Sequence, residues 1–339
     1  MKHIVCKTDE RLPVGRQFEG YFGGLRIGIL DIETTGLDRW KNEFILGGLY
    51  DVSEGLLHQV FAENVGEEEE ALRAFAQLME GVDVVVTYNG ARFDMPFLYE
   101  RASRYEGVEM PSPYDLDIYR VVRDHSPLKR LLPNLRQKTV EAYMGLWQSR
   151  TDEISGEESV YLYREYERTM DPALEEKILL HNRDDVEQLS RLLKVIDKCD
   201  FHAAMHEMGF PVKAGNRLLT VKDIRIGRNG FLIEGTQDRK AANFRCYELD
   251  GYDVEVLFDR SRGTFSIRMP LNWNRGLVVM DIRAAGLDER EFAAYPECGS
   301  GFLVIRGERD IRHRECNHLI RAYLNKLVGI IDGQCESMN

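Results

Sequence analysis

Asp31 and Glu33 stand two residues apart at the end of an apolar run, Leu-Arg-Ile-Gly-Ile-Leu-Asp-Ile-Glu over 25–33. In a strand that spacing turns both carboxylates to one face. The run is apolar on either side of the pleat, as in a strand covered on both faces, so the two acids are expected to be at least half buried. Like charges this close raise each other's pKa unless a cation compensates them. Acids that end a strand in solvent, or cap a turn, are the plain alternative. A second pair, His181 and Asp185, lies four apart on a stripe of helical spacing with Leu174, Ile178, Gln188, Leu189 and Leu192. An ionisable pair on an inward stripe costs desolvation unless it has partners; the pair satisfying itself is the structural alternative. Asp94 comes from a third segment, following the turn signal Asn89-Gly90 at a position that otherwise serves as a helix cap. Together Asp31, Glu33, Asp94 and Asp185 carry a charge of −4. Two divalent cations balance that charge, with Mg2+ or Mn2+ the expected ions because hard cations prefer oxygen ligands. Two such ions about 3.5–4 Å apart clamp the attacking water and leaving oxygen of a phosphodiester. A neighbouring imidazole is suited to take the proton from that water.

The elements that must hold these groups follow from periodicity. Runs at 25–33, 44–52 and 56–62 read as three strands joined by short loops, an antiparallel meander. A helix is expected over 67–80, with acids in its first turn and Leu72, Phe75 and Met79 at helical spacing. A strand over 82–88, a helix over 93–105 and a short extended piece over 114–118 come next. Helices then dominate: 135–144 closed by Gly145, 157–169 after a Ser155-x-x-Glu158 capping box, and 172–198 with Asp171 as N-cap and Pro172 at the first helical position. This order describes an α/β domain over 1–199, a mixed sheet with flanking helices. Strand-like alternations follow: 220–226 and 231–234 across an Arg-Asn-Gly turn, 254–258 pairing with 264–269, then 277–282 and 302–305. With a helix over 316–331 they make a smaller β-rich C-terminal domain over 200–339.

With those residues in place, the chain resembles the ribonuclease H-like 3′→5′ exonucleases of the four-carboxylate (DEDD) superfamily, and within it the YprB-type branch. Asp31-Ile-Glu-Thr-Thr-Gly-Leu37 is similar to the first motif of that superfamily, Tyr88-Asn-Gly-Ala-Arg-Phe-Asp94 to the second and His181-Asn-Arg-Asp-Asp185 to the third. Lys138-Thr-Val-Glu141 and Asp152-Glu-Ile-Ser-Gly156 are similar to that branch. The match spans roughly 20–197. It implies a ribonuclease H-like fold and metal-dependent removal of nucleotides from a 3′ end of DNA or RNA, with Asp31, Glu33, Asp94 and Asp185 as metal ligands. The chain departs from the pattern at its base. In the two better-known subtypes a His stands five residues before the last Asp, or a Tyr four before it; here a His takes the Tyr spacing. One residue on a helix is about 100° of rotation, so the role of His181 as general base stays open. Asp184 offers another alignment, but it rotates off the apolar stripe.

Thr34, Asn89 and Phe93 are the candidate substrate contacts. Phe93, Phe97 and Tyr99 have the chemistry to stack on bases, and core packing is the competing role for each. Asp117 ends the short strand, where it either supports the site or caps a helix. Two other functions are compatible with parts of the sequence. One is a nucleic-acid-binding module of the same fold that no longer cuts, which four retained acids argue against. The other is an actin- or sugar-kinase-like phosphotransferase, whose Asp-x-Gly-Thr-Thr phosphate loop resembles Asp31-Ile-Glu-Thr-Thr-Gly; that loop needs a glycine where Glu33 stands, and no second Gly-rich phosphate loop follows.

Charge divides the 339 residues. The net charge is −12, with 25 basic and 37 acidic residues in 1–199 and 20 of each beyond. An acidic first part argues against purely electrostatic duplex binding and leaves room for a carboxylate metal site. The expected partner is a nucleic acid, met at a single-stranded end. Arg306, Arg309, Arg312, Arg314 and Arg321 cluster near the last helix, as a guide for a strand or as a solvated face. The six cysteines show no Cys-x-x-Cys spacing and read as reduced thiols. No apolar run approaches the ~20 residues of a membrane span, and no secretory signal opens the chain. Cytoplasmic location, no membrane partner and no small-molecule cofactor beyond metal are the expectations.

Overall fold

The computed structural model describes residues 1–8, 12–146, 150–151, 154–295 and 301–336, with 335 and 336 described by backbone alone. The chain divides into two compact units, Met1–Asp200 and Phe201–Asn339.

The first unit begins with an edge strand, β1 (Lys2–Lys7), and a short helix, α1 (Arg16–Phe22). Three strands follow, β2 (Ile27–Thr34), β3 (Phe44–Asp51) and β4 (Leu56–Phe61), then α2 (Glu68–Met79), β5 (Val84–Thr87), α3 (Asp94–Ala102) and β6 (Tyr114–Asp117). Five helices complete it: α4 (Ile118–His125), α5 (Leu128–Leu131), α6 (Gln137–Tyr143), α7 (Gly156–Thr169) and α8 (Pro172–Leu192). The six strands form one mixed sheet in the order β1-β4-β3-β2-β5-β6. β1 to β2 are joined antiparallel, and β5 and β6 run parallel to β2. This is the mixed sheet with flanking helices that the element order implies, and the ribonuclease H-like fold that the resemblance implies.

Adjacent glycines in β3 let helices close on both faces. A Cβ on Gly47 would strike the Phe75 ring of α2 at 2.6 Å, and one on Gly48 would strike Asn182 Oδ1 of α8 at 2.3 Å. On the first face α2 and α3 bury Leu72, Phe75, Met79, Phe97 and Leu98 against Leu30, Ile32, Phe44 and Val85. On the other, Tyr163 and Tyr166 of α7 and Ile178 of α8 pack on Ile45, Leu46 and Phe61. The apolar side chains of β2 at 30 and 32 therefore feed the α2–α3 core, which leaves Asp31 and Glu33 on the α8 side.

The capping box is formed, with the Ser155 side chain accepting from the Glu158 N–H and Glu158 from the Ser155 N–H. Asp171 caps α8 through the Ala173 N–H. That helix ends at Leu192 and tightens to a 3₁₀ turn over Leu193–Lys198, shorter than the periodicity predicts. β1 and α1 are additions to the expected order. Glu68 is one of the first-turn acids of its helix, a position that ordinarily faces solvent. It is buried instead, receiving Arg101 through two bonds of 2.7 and 2.6 Å, Tyr105 Oη and the Phe44 N–H.

The second unit holds α9 (Phe201–Met208), then β7 (Phe210–Ala214), β8 (Arg217–Gly227), β9 (Gly230–Arg239), β10 (Phe244–Leu249), β11 (Tyr252–Asp259) and β12 (Thr264–Met269). These strands form an antiparallel sheet in the order β10-β11-β12-β9-β8-β7. β13 (Asn272–Asn274), β14 (Leu277–Asp281) and β15 (Phe302–Arg306) make a smaller sheet, and α10 (His313–Glu336) follows. The hairpin of 254–258 with 264–269 forms in register, Val256 opposite Ile267. α9, β7, β10 and β13 were not anticipated. Arg309, Arg312 and Arg314 are exposed, whereas Arg306 and Arg321 are half-buried. No helix of the described residues is long and apolar enough to cross a membrane.

Candidate metal centre

β2 outruns its parallel neighbour. Pairing with β5 ends at Ile29 opposite Val86, and β2 continues five residues further. The released Ile32 N–H is taken by Asp94 Oδ1 at 3.3 Å. Asp94 opens α3 and is buried, and it reaches β2 because the preceding turn is folded back. Asn89 holds φ +70°, and its N–H donates to Asp117 Oδ1 at 2.8 Å. Asp117 therefore supports the site indirectly and also caps α4 through the Arg120 N–H.

Asp31 pairs opposite Gly48 in β3, and the missing Cβ there admits Asn182 of α8. The Asn182 amide donates to both Asp31 O and Asp31 Oδ2, at 3.1 and 3.0 Å, and its carbonyl accepts from Gln59. The residue before Asn182 on α8, His181, places Nε2 3.6 Å from Glu33 Oε1 and 3.6 Å from Asp185 Oδ2. Among the described residues one group of ligand-type side chains converges, Glu33, His181 and Asp185, with donor atoms all within 4.8 Å of one another. The sequence set His181 beside the carboxylates as a base; the fold sets it among them, only 2% exposed.

Electrostatics tie the remaining acids to that group. The Asp31 carboxyl is held well above the usual range, first by burial and then by Asp185, Asp94 and Glu33; the Asn182 bond opposes this. Burial also pushes Asp94 up to about 8, helped by Asp115 and Asp117. Asp115, bonded to Thr87 Oγ1 at 2.7 Å, is pushed up to about 7 by burial. Burial, and repulsion between acids, drives these carboxyls towards their protonated forms, which a bound cation would reverse. Glu33, Asp185 and His181, the side chains that converge, suit a divalent metal.

Asp184, the other alignment, is off the apolar stripe but buried, because Thr151 donates to it through its N–H at 2.5 Å and its hydroxyl. It faces that loop, and Asp185 faces Glu33. Asp185 Oδ1 receives Arg150 Nη2 at 2.5 Å, while the same guanidinium forks onto buried Glu141 at 2.7 and 2.9 Å. The sequence reading missed Arg150; the 138–141 and 152–156 stretches that flank it were its only signal, and Asp152 and Glu153 lie outside the described residues. Of the substrate candidates, Asn89 and Phe93 are half-buried near the Asp94 turn. Thr34 is buried and its hydroxyl donates to Gly36 O at 2.8 Å, which shapes the turn after Glu33. Phe97 is core, and Tyr99 donates to Ser112.

Residues 29–196 match the family model of the RNase H superfamily, and the chain belongs to that superfamily through this segment. A curated relative, DNA polymerase 1 of Sulfurisphaera ohwakuensis, is 28% identical over 88 residues, 26% of this chain and 10% of the relative. The chain thus spans about a tenth of that protein's length. Among solved structures, the family B DNA polymerase of Pyrobaculum calidifontis aligns at 22% identity and TM-score 0.39, over 51% of this chain and 24% of its own. Exonuclease I from Methylocaldum szegediense aligns at 15% identity and TM-score 0.27, over 62% and 54%.

Proposed function

We propose that the first unit is a divalent-metal-dependent 3′→5′ exonuclease acting on a single-stranded end of DNA or RNA. The observation that supports this reading is the convergence of Glu33 with His181 and Asp185 of a remote helix, beside which Asp94 is bonded to the Ile32 N–H of the same strand and Asp31 feels the charges of Asp185, Asp94 and Glu33. The polarity of cleavage comes from the resemblance of the three motifs.

Two Mg2+ or Mn2+ ions would be held by Asp31, Glu33, Asp94 and Asp185, and when bound they stabilise charge on the attacking and departing oxygens. The chain's own groups do the rest. Asn182 fixes the Asp31 carboxylate, and the bond to the Ile32 N–H fixes Asp94. His181 Nε2, facing the space between Glu33 and Asp185, accepts the proton of the attacking water. Asn89 and Phe93, half-buried on the turn before Asp94, are the proposed contacts of the terminal nucleotide. A second reading of His181, as a ligand rather than a base, is favoured by its convergence with Glu33 and Asp185.

The test is incubation with single-stranded DNA and RNA, 5′-labelled or 3′-labelled, in Mn2+, Mg2+ or chelator. Stepwise shortening of the 5′-labelled strand that chelator abolishes, and that D31N lacks, is expected. Intact strands at all metal concentrations overturn the reading, and strand binding without shortening indicates a non-cutting module.

A further inference from the structure

Asp185 is already paired with a cation that belongs to the chain. Arg150 forks onto Glu141, whose side chain is 1% exposed, and spends its remaining reach on Asp185 Oδ1. The next residue, Thr151, binds Asp184. Two consecutive residues of one loop thus grip two consecutive acids of α8. The loop is strapped further by Lys138 Nζ on Ile154 O at 2.8 Å, and Gln137 Nε2 of α6 holds Asp185 O at 3.1 Å. A guanidinium braced in this way, with its side chain 10% exposed, is poorly solvated and stays close to Asp185.

We propose that Arg150 is a resident counter-cation that occupies Asp185 and opposes metal binding there. The inference rests on the metal-dependent reading of the site. Four carboxylates balance two divalent ions. A fixed extra positive charge within hydrogen-bonding distance of one of the four therefore repels the incoming ion and draws electron density from its ligand. The opposing effect, that Arg150 improves binding by orienting Asp185, is the smaller one, because Asp185 is also held at its backbone by Gln137 and flanked by His181. Asp185 Oδ2, the oxygen turned towards His181, is left for the metal while Oδ1 carries the guanidinium.

Isothermal titration of the full chain with Mn2+ tests this independently of cleavage. R150Q is expected to bind Mn2+ at least about tenfold more tightly than wild type, as removal of a unit charge a few ångströms from a divalent ion requires. R150K retains the charge and is expected to stay within about threefold of wild type. Because R150Q strands buried Glu141, E141Q/R150Q removes both charges together and is expected to bind Mn2+ more tightly than wild type but by less than R150Q, since the negative charge of Glu141 goes with the guanidinium on Asp185; thermal melts in chelator establish that each variant is folded. Wild type that binds Mn2+ while R150Q, or E141Q/R150Q where R150Q does not fold, binds it equally or more weakly overturns this inference alone. Wild type that binds no Mn2+ overturns the metal-dependent function, and this inference with it.

Discussion

Replacing Asp94 by Asn should make the metal-free protein more stable at neutral pH and should abolish its response to metal. Asp94 is pushed from 3.8 up to about 8, so the folded chain binds a proton there that the unfolded chain releases. Because the shift is upward, the folded form holds more protons between about pH 4 and about pH 8, and stability falls as pH rises through that window. At pH 7 the full penalty is about 4 kcal/mol, at about 1.4 kcal/mol per pKa unit. Local relaxation and water entry reduce such ceilings, and a gain of about 2 kcal/mol is the working figure. For a unit of this size that is a rise in melting temperature of about 4–8 °C. Asn keeps an oxygen for the Ile32 N–H, so the contact that holds α3 to β2 survives the change. The assay is thermal and urea unfolding of wild type and D94N in chelator at pH 7.5 and pH 4.5, repeated with Mg2+. The gain should appear at the higher pH and vanish at the lower, and Mg2+ should stabilise wild type only. A gain of equal size at both pH values, or none at pH 7.5, refutes the argument that repulsion and burial of Asp94 destabilise the empty site.

Arg101→Ala leaves Glu68 buried without its forked partner and should cost about 3–5 kcal/mol in urea unfolding, whereas a surface pair such as Arg73–Glu69 should give under about 1 kcal/mol. Gly48→Ala puts a methyl 2.3 Å from Asn182 Oδ1; it should cost about 1–3 kcal/mol and weaken Mn2+ binding, since Asn182 is what positions Asp31, and unchanged calorimetry would remove that role. His181→Asn should lower turnover by about 10²–10⁴ with Mn2+ affinity retained if the imidazole is the base; a fall in Mn2+ affinity assigns it as a ligand.

The first unit was legible because its signals are periodic. Alternation, helical spacing, the capping box at Ser155 and the Asn89-Gly90 turn each act over a few residues, and the three acidic segments could be placed on elements before any contact was known. What sequence did not reveal depends on pairings between remote segments. Glu68 and the solvated acids beside it satisfy the same first-turn preference, and only the arrival of Arg101, on another helix, distinguishes them. Asp184 and Asp185 differ by one helical step, and the loop that buries the former carries no periodicity. Arg150 belongs to that same loop. β1 alternates half-buried with exposed positions along an edge, and its mixed composition gives too weak a hydrophobic signal to mark a strand. In the second unit the alternation gave several strands but no constellation of reactive side chains, so its fold was partly readable and its role was not.

Beyond Val86 the backbones of β2 and β5 part like the arms of a Y, and the crotch is propped by one carboxylate reaching across to a freed amide. Such a fork acts as a lever. The prop rests on a turn that is in turn braced from β6 through Asp117, so substitutions well away from the acids can widen or narrow the gap while leaving the sheet intact. Tuning of reactivity among relatives of this chain would then accumulate at the hinge of that fork, in positions that look merely architectural, while the acids themselves stay unchanged.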